Sequence, residues 1–158
     1  HNFDVIIYAT GFNPFNILSS MEVKVAEGVT LADCWQDNIQ SHKTVAVSGF
    51  PNFFMLLGPN SALGHNSVIL MIEAQVNYIV KCLKKMRKNG WTSLDPKSVS
   101  QDKFNNFIQK RLQGTVWQGS CSSWYKDDDE QNFTIWPLSA TRYMLSMRKP
   151  DFSEYNVK

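Results

Sequence analysis

Several absences narrow the chain before anything present is weighed. Its three cysteines, Cys34, Cys82 and Cys121, are an odd number with no CxxC spacing. They form neither a disulfide framework nor a zinc ligand set, which favours a reducing, cytoplasmic setting. No apolar run approaches a bilayer span, because Glu73, Gln75 and Asn77 interrupt the longest one. No signal peptide is visible. A formal charge of +2 gives no argument for nucleic acid or a membrane surface. No G-x-G-x-x-G follows a strand, so no dinucleotide-binding fingerprint is present.

What is present suffices for a core. The 158 residues have the length of one ordinary domain, with 43% hydrophobic and 13% aromatic content. The chain begins with His1 and is inside a strong strand pattern by Asp4. A fully apolar central strand is a rare opening for a domain, so the chain reads as a piece of a longer protein.

The organising stretch is 49–88, GFPNFFMLLGPNSALGHNSVILMIEAQVNYIVKCLKKMRK. Residues 53–57 have the length and apolarity of a buried strand. Gly58, Pro59 and Asn60 break it, and from Ser67 to Asn89 the pattern is helical. The helix starts with unpaired N–H groups and a partial positive charge, which attract a phosphate, a carboxylate or a ring carbonyl. Asn66 and Ser67 are both suitable caps. Residues 68–72 are apolar all round, so that end is expected to be buried. The plain alternative is an ordinary capped core helix. Further along, Val76, Ile79, Val80, Leu83 and Met86 share one face. Lys81, Lys84, Lys85, Arg87 and Lys88 crowd the last turns, where cations suit the macrodipole.

The remaining segments are read in order. Residues 4–9, DVIIYA, mark a strand buried on both faces, as in a parallel sheet covered by helices. It ends at Thr10, Gly11 and Phe12. Val23, Val25 and Val29 predict a small hairpin, and Thr30 caps one or two helical turns at 31–35. Trp35 is assigned to core or interface, His42 to solvent, and 45–47 to a short strand. Asp95-Pro96 breaks the chain. Ser100 is expected to cap a second helix carrying Phe104, Phe107, Ile108 and Leu112, ended by Gly114. Residues 116–125, VWQGSCSSWY, suit either a cofactor-lined cleft or a loop pinned on the core. Cys121 lacks an adjacent basic partner that would make it a nucleophile. Residues 127–130 form an acidic turn, 133–136 and 142–147 are strand candidates, and the tail from Lys149 is placed on the surface.

Two stretches together carry a resemblance. DVIIYATGF (4–12) resembles the A-T-G-F/Y segment of flavin-dependent monooxygenases that hold FAD and NADPH in paired Rossmann domains. FPNFFMLLGPNSALGHNSVILMIEAQ (50–75) resembles the closing segment of the FAD domain in their Baeyer–Villiger branch. TVWQGSCSSWY (115–125), IWP (135–137) and RKPDFSEY (148–155) are similar to that branch's C-terminal region. Leu138 follows Pro137 where relatives often have Gly, and the acidic turn is a further departure.

The resemblance implies an α/β fold: the C-terminal fragment of a Rossmann-like flavoprotein with two dinucleotide-binding domains. It would have parallel-sheet strands, one long buried helix and an irregular α+β tail. Residues 1–90 would close the FAD domain, with an irregular insertion at 13–48. Residues 91–158 would form a helix and an aromatic tail along the cofactor cleft. Thr10, Gly11 and Phe12 would lie against FAD. Gly58, Pro59, His65, Asn66 and Ser67 would border its ring, with the N–H of Ser67 or Val68 toward the C2 carbonyl. His65 could instead face the substrate cleft. Trp124 and Tyr125 would lie toward NADPH and substrate. The implied partners are a small organic substrate, O2 and the missing N-terminal part of the same enzyme. The whole enzyme would reduce FAD with NADPH, form a C4a-peroxyflavin and oxygenate a ketone or aldehyde. No side chain here is the family's catalytic acid or base, its catalytic Arg is absent, and so is its signature linker. The alternatives are an N- or S-oxygenating flavin monooxygenase and a non-catalytic remnant acting as an interaction module. A disulfide-type flavin reductase is disfavoured for want of paired cysteines.

Overall fold

The structure is a computed structural model that describes residues 2–9, 21–25, 28–36, 38–64, 66–118, 126 and 131–158. Helices carry it. Helix α1 (Leu31–Cys34) starts as predicted: the Thr30 hydroxyl accepts the Asp33 N–H, and the Asp33 carboxylate accepts the Thr30 N–H. Before it, Lys24 and Thr30 form an antiparallel bridge, the predicted hairpin. Trp35 packs on a small cluster of Leu31, Val47 and Phe50.

Helix α2 (Val68–Asn89) is the 22-residue helix read from the sequence. Gly90 ends it at φ 70°, a left-handed conformation that glycine adopts without a Cβ clash. Its inner face is Met71, Gln75, Tyr78, Cys82 and Met86, at helical spacing. The predicted stripe is therefore displaced by one residue, about 100° around the axis. Val76, Val80 and Leu83 are exposed, Ile79 is half-buried, and only Met86 faces fully inward. The apolar band on α2 is wider than the core that the described residues provide.

Strand β1 (Leu94–Pro96) pairs antiparallel with β2 (Tyr155–Val157), with Leu94 opposite Val157 and Pro96 opposite Tyr155. The predicted break at Asp95-Pro96 is thus a strand, since a two-stranded ribbon leaves an outer edge where proline forfeits no ladder bond. The tail is not all surface either: Tyr155 is buried, and its hydroxyl shares a hydrogen bond of 2.8 Å with Tyr78 of α2. Helix α3 (Ser98–Leu112) begins at Ser98 after Lys97, two residues before the predicted Ser100 start. Ile108 and Leu112 are buried as expected, while Phe107 is exposed beneath the Arg111 guanidinium. Helix α4 (Ala140–Ser146) stands where a strand was a candidate at 142–147. The Ser139 hydroxyl accepts the Arg142 N–H, and Ala140, Tyr143 and Met147 turn inward at helical spacing.

The expected parallel sheet is not found among the described residues, whose one sheet is the β1–β2 ribbon. The strand expected at 4–9 is exposed and irregular; Val5, Ile6, Ile7 and Tyr8 face solvent. A strand of that composition needs neighbours on both edges and cover on both faces, and none of the described residues provides them. Residues 53–57 and 45–47 form no strand. Residues 133–136 contribute one parallel bridge, Ala62 to Ile135. The main core joins Val45, Leu63, the inner face of α2, Leu94, α3, Trp136, α4 and Tyr155. His42, expected in solvent, is fully buried, with its ring against Tyr155 and its Nε2 3.3 Å from Glu154 Oε2. No helix among the described residues is long and apolar enough to cross a membrane.

Candidate functional site

The turn before α2 is built by an interlock with the loop at 41–46. Met55 N–H donates to the Val45 carbonyl at 2.9 Å, and the Ser41 hydroxyl to the Pro59 carbonyl at 3.3 Å. Gly58 is buried where a Cβ would collide with the Thr44 carbonyl and the Met55 side chain. That position demands glycine for protein packing, whatever else lies nearby. Pro59 is buried too. Leu57 and Asn60, at φ 54° and 59°, hold left-handed conformations unusual for residues other than glycine.

Buried amides hold both of them. Gln75 Oε1 accepts the Leu57 N–H at 2.9 Å, while its Nε2 donates to Thr44 Oγ1 at 3.0 Å and Tyr143 OH at 2.8 Å. Thr44 and Tyr143 also share a short hydrogen bond, and burial pushes the Tyr143 phenol up to about 12. Asn60 Nδ2 donates to the carbonyls of Asn132 and Ile135 at 2.8 and 3.2 Å. Asn132 in turn accepts the N–H groups of Thr134 and Ile135 and donates to the Trp117 carbonyl. The aromatic segment is thereby tied to the turn. Trp117, in the 3-10 helix Val116–Gln118, also packs so closely on Gly64 that a Cβ there would lie 2.7 Å from its ring.

Sequence reading did not single out Gln75, Thr44, Tyr143 or Asn132. One signal was available. Gln75 sits four residues after Met71 and three before Tyr78, a polar group at a core position of α2. A buried amide there must find partners.

The start of α2 differs from the expectation in two respects. It is not concealed: Asn66 and Ser67 are exposed, Val68 is half-buried, and Ile69 is 61% exposed. The described residues supply no full cover for that end. Nor is it capped: Ser67 makes no side-chain cap, and the Asn66 side chain instead accepts the Ser67 N–H at 2.7 Å. The Val68 N–H, and those next to it in the first turn, therefore have no side-chain cap among the described residues. An uncapped apolar first turn beside an ordered turn fits an acceptor oxygen on a flat ring. Of the two donors expected, the Ser67 N–H is engaged by Asn66, while the Val68 N–H has no side-chain partner among the described residues.

Thr10, Gly11, Phe12, His65, Trp124 and Tyr125 lie outside the described residues, as do Cys121 and the acidic turn at 127–130. A groove of about 550 Å³ between α2 and α4, with Glu73, Lys81 and Arg148 at its rim, contains none of the predicted cofactor residues. No group of three or more metal-ligating side chains occurs among the described residues.

No family model matches the chain. It is 37% identical over 156 residues to a Baeyer–Villiger monooxygenase of Streptomyces coelicolor, covering 98% of this chain and 30% of that protein. A Baeyer–Villiger monooxygenase of Pseudomonas aeruginosa is 36% identical with the same coverage. Among solved structures, the OTEMO complex with FAD and NADP superposes over the whole chain and 30% of its own, with a TM-score of 0.81 at 20% identity. Cyclohexanone monooxygenase from Rhodococcus sp. Phi1, bound to NADP+, also gives 0.81 at 20% identity, over the whole chain and 31% of its own. The chain thus spans about 30% of the length of the relatives it matches. Along its whole length it resembles the C-terminal part of Baeyer–Villiger-type flavin-containing monooxygenases.

Proposed function

We propose that this chain is the C-terminal part of an FAD- and NADPH-dependent monooxygenase of Baeyer–Villiger type. The whole enzyme would insert one oxygen atom from O2 into a ketone or aldehyde to give an ester or lactone. The observation that carries this reading is relatedness across 98% of the chain to proteins named for that activity. Bound FAD would supply the electron transfer and oxygen activation, and NADPH the electrons.

The chain's own contribution is position and electrostatics. In this reading residues 1–90 close the FAD domain and 91–158 run along the cofactor cleft. The Val68 N–H would donate to a ring carbonyl that gains negative charge on reduction, and a donor already fixed by α2 needs no reorganisation. Thr10, Gly11, Phe12, His65, Asn66 and Ser67 would border FAD, and Trp124 and Tyr125 the NADPH side. Gly58 and Pro59 would act from beneath by shaping the turn. The chain alone would neither hold FAD nor turn over. A soluble, cytoplasmic enzyme is part of the same proposal.

Purified full-length protein tests this directly. It should be yellow, oxidise NADPH, and convert a cyclic ketone into a lactone with a mass gain of one oxygen. Turnover restricted to sulfides and amines would favour the N- or S-oxygenating alternative. A colourless protein inert to NADPH would favour a non-catalytic remnant.

A further inference from the structure

Gln75 does more than fill a core position. Its orientation is forced, because the Leu57 N–H can only donate and must therefore meet Oε1 rather than Nε2. That leaves Nε2 for the Thr44 and Tyr143 hydroxyls. Thr44 is itself left-handed at φ 65°, a conformation that a β-branched residue adopts only when its surroundings impose it. One fully buried amide thus clamps two strained loops, at 43–44 and 57–60, against α2 and α4. The clamped turn precedes the start of α2 by seven residues, 61–67.

We propose that Gln75 is a positioning residue for the flavin-facing end of this chain. It sets the Leu57–Asn60 turn, and with it the approach to Val68, without touching the cofactor. The inference rests on the flavoenzyme reading above and adds a residue to it. The amide's role is replaceable in one specific way. A Glu at the same place is kept neutral by burial: its carbonyl oxygen still accepts the Leu57 N–H, and its hydroxyl donates to the Thr44–Tyr143 pair, whose own hydrogen bond survives. A thioether of similar volume fills the space and does neither.

The test uses full-length holoenzyme. Gln75→Met should weaken FAD binding at least tenfold and shift the visible circular dichroism of the flavin. Gln75→Glu at neutral pH should stay within about threefold of the parent in affinity, with the parent's flavin spectrum. Cys82→Ala, on the same buried face but away from the turn, should lower thermal stability and leave the flavin spectrum unchanged. A Gln75→Met flavin spectrum and affinity equal to the parent's, or Gln75→Glu shifted as far as Gln75→Met, overturns the proposal. If Gln75→Met fails to fold, Thr44→Val removes one partner of the amide and reads the same coupling: a shifted flavin band supports it and an unchanged one overturns it. Failure of the parent protein to bind FAD is a different outcome, which rejects the functional reading before any variant is made.

Discussion

Two regions invert the usual rule that oil goes inside. Residues 4–9 are the strongest strand pattern in the sequence, yet Ile7 is 86% exposed. Residues 41–46 and 57–61 are rich in Ser, His, Thr, Asn and Gly, yet Ser41, His42, Thr44, Asn60 and Ser61 are all buried. The difference lies in where the partners are. An apolar strand needs neighbours and cover that the described residues do not offer. The polar loops carry their partners within the chain: Gln75 on α2, Tyr143 on α4, and Asn105 on α3, whose amide donates to the Ser41 carbonyl at 2.9 Å. At Ser41, Thr44, Asn60 and Ser61 burial follows hydrogen-bond partners more closely than hydropathy, whereas neither ring nitrogen of buried His42 has a hydrogen-bond partner among the described residues.

The largest expected effect separates neighbours on one helix. Met71→Ala should cost about 2–5 kcal/mol, as for other fully buried large-to-small changes. Ile69→Ala, two residues earlier and mostly exposed, should cost far less. Urea denaturation of both variants checks this, and equal losses would erase the distinction between the two faces of α2.

Next comes His42, which belongs to the buried polar region. Burial, and then Lys43, depress its pKa from 6.5 to about 4, while the Ser100 backbone opposes this and Glu154 sits beside it. The unfolded chain therefore binds the proton more tightly. Stability is fully present above pH 6.5 and falls as pH drops through 6.5 toward 4, by about 3 kcal/mol in all. Denaturation midpoints measured across that window should show the slope, and His42→Gln should flatten it.

Gly58→Ala should cost about 1–3 kcal/mol, because the obstacle is the Thr44 backbone and cannot swing aside. The same denaturation series reads it. The smallest effect is at the other pole: Ile7→Ser should change the stability of this chain by less than about 0.5 kcal/mol. A large loss there would mean that residues 4–9 are covered after all.

These contrasts show what was legible. Helix α2 could be read with its length and its Gly90 terminus because periodicity and a C-terminal glycine are local signals. The α1 cap could be read for the same reason. The inner face of α2 was misjudged by one residue because apolar side chains occur around most of its girth. Helix α4 was missed because ATRYMLS is too short for a period to stand out, and the decisive cap is the single hydroxyl of Ser139. The β1–β2 ribbon pairs residues some 60 positions apart, which no window reveals. The Gly-Pro-Asn break and the helix start were legible, whereas the close packing of Gly58 on Thr44 and Met55 was not. The buried amide clamp was invisible because its three partners come from three separate segments.

The central claim is that the uncapped start of α2 donates to the flavin ring. A crystal structure of the full-length protein with FAD is the most direct test. The account predicts the Val68 nitrogen about 3 Å from a carbonyl oxygen of the isoalloxazine ring. A ring bound elsewhere, or a protein oxygen occupying that position with FAD in place, would contradict it.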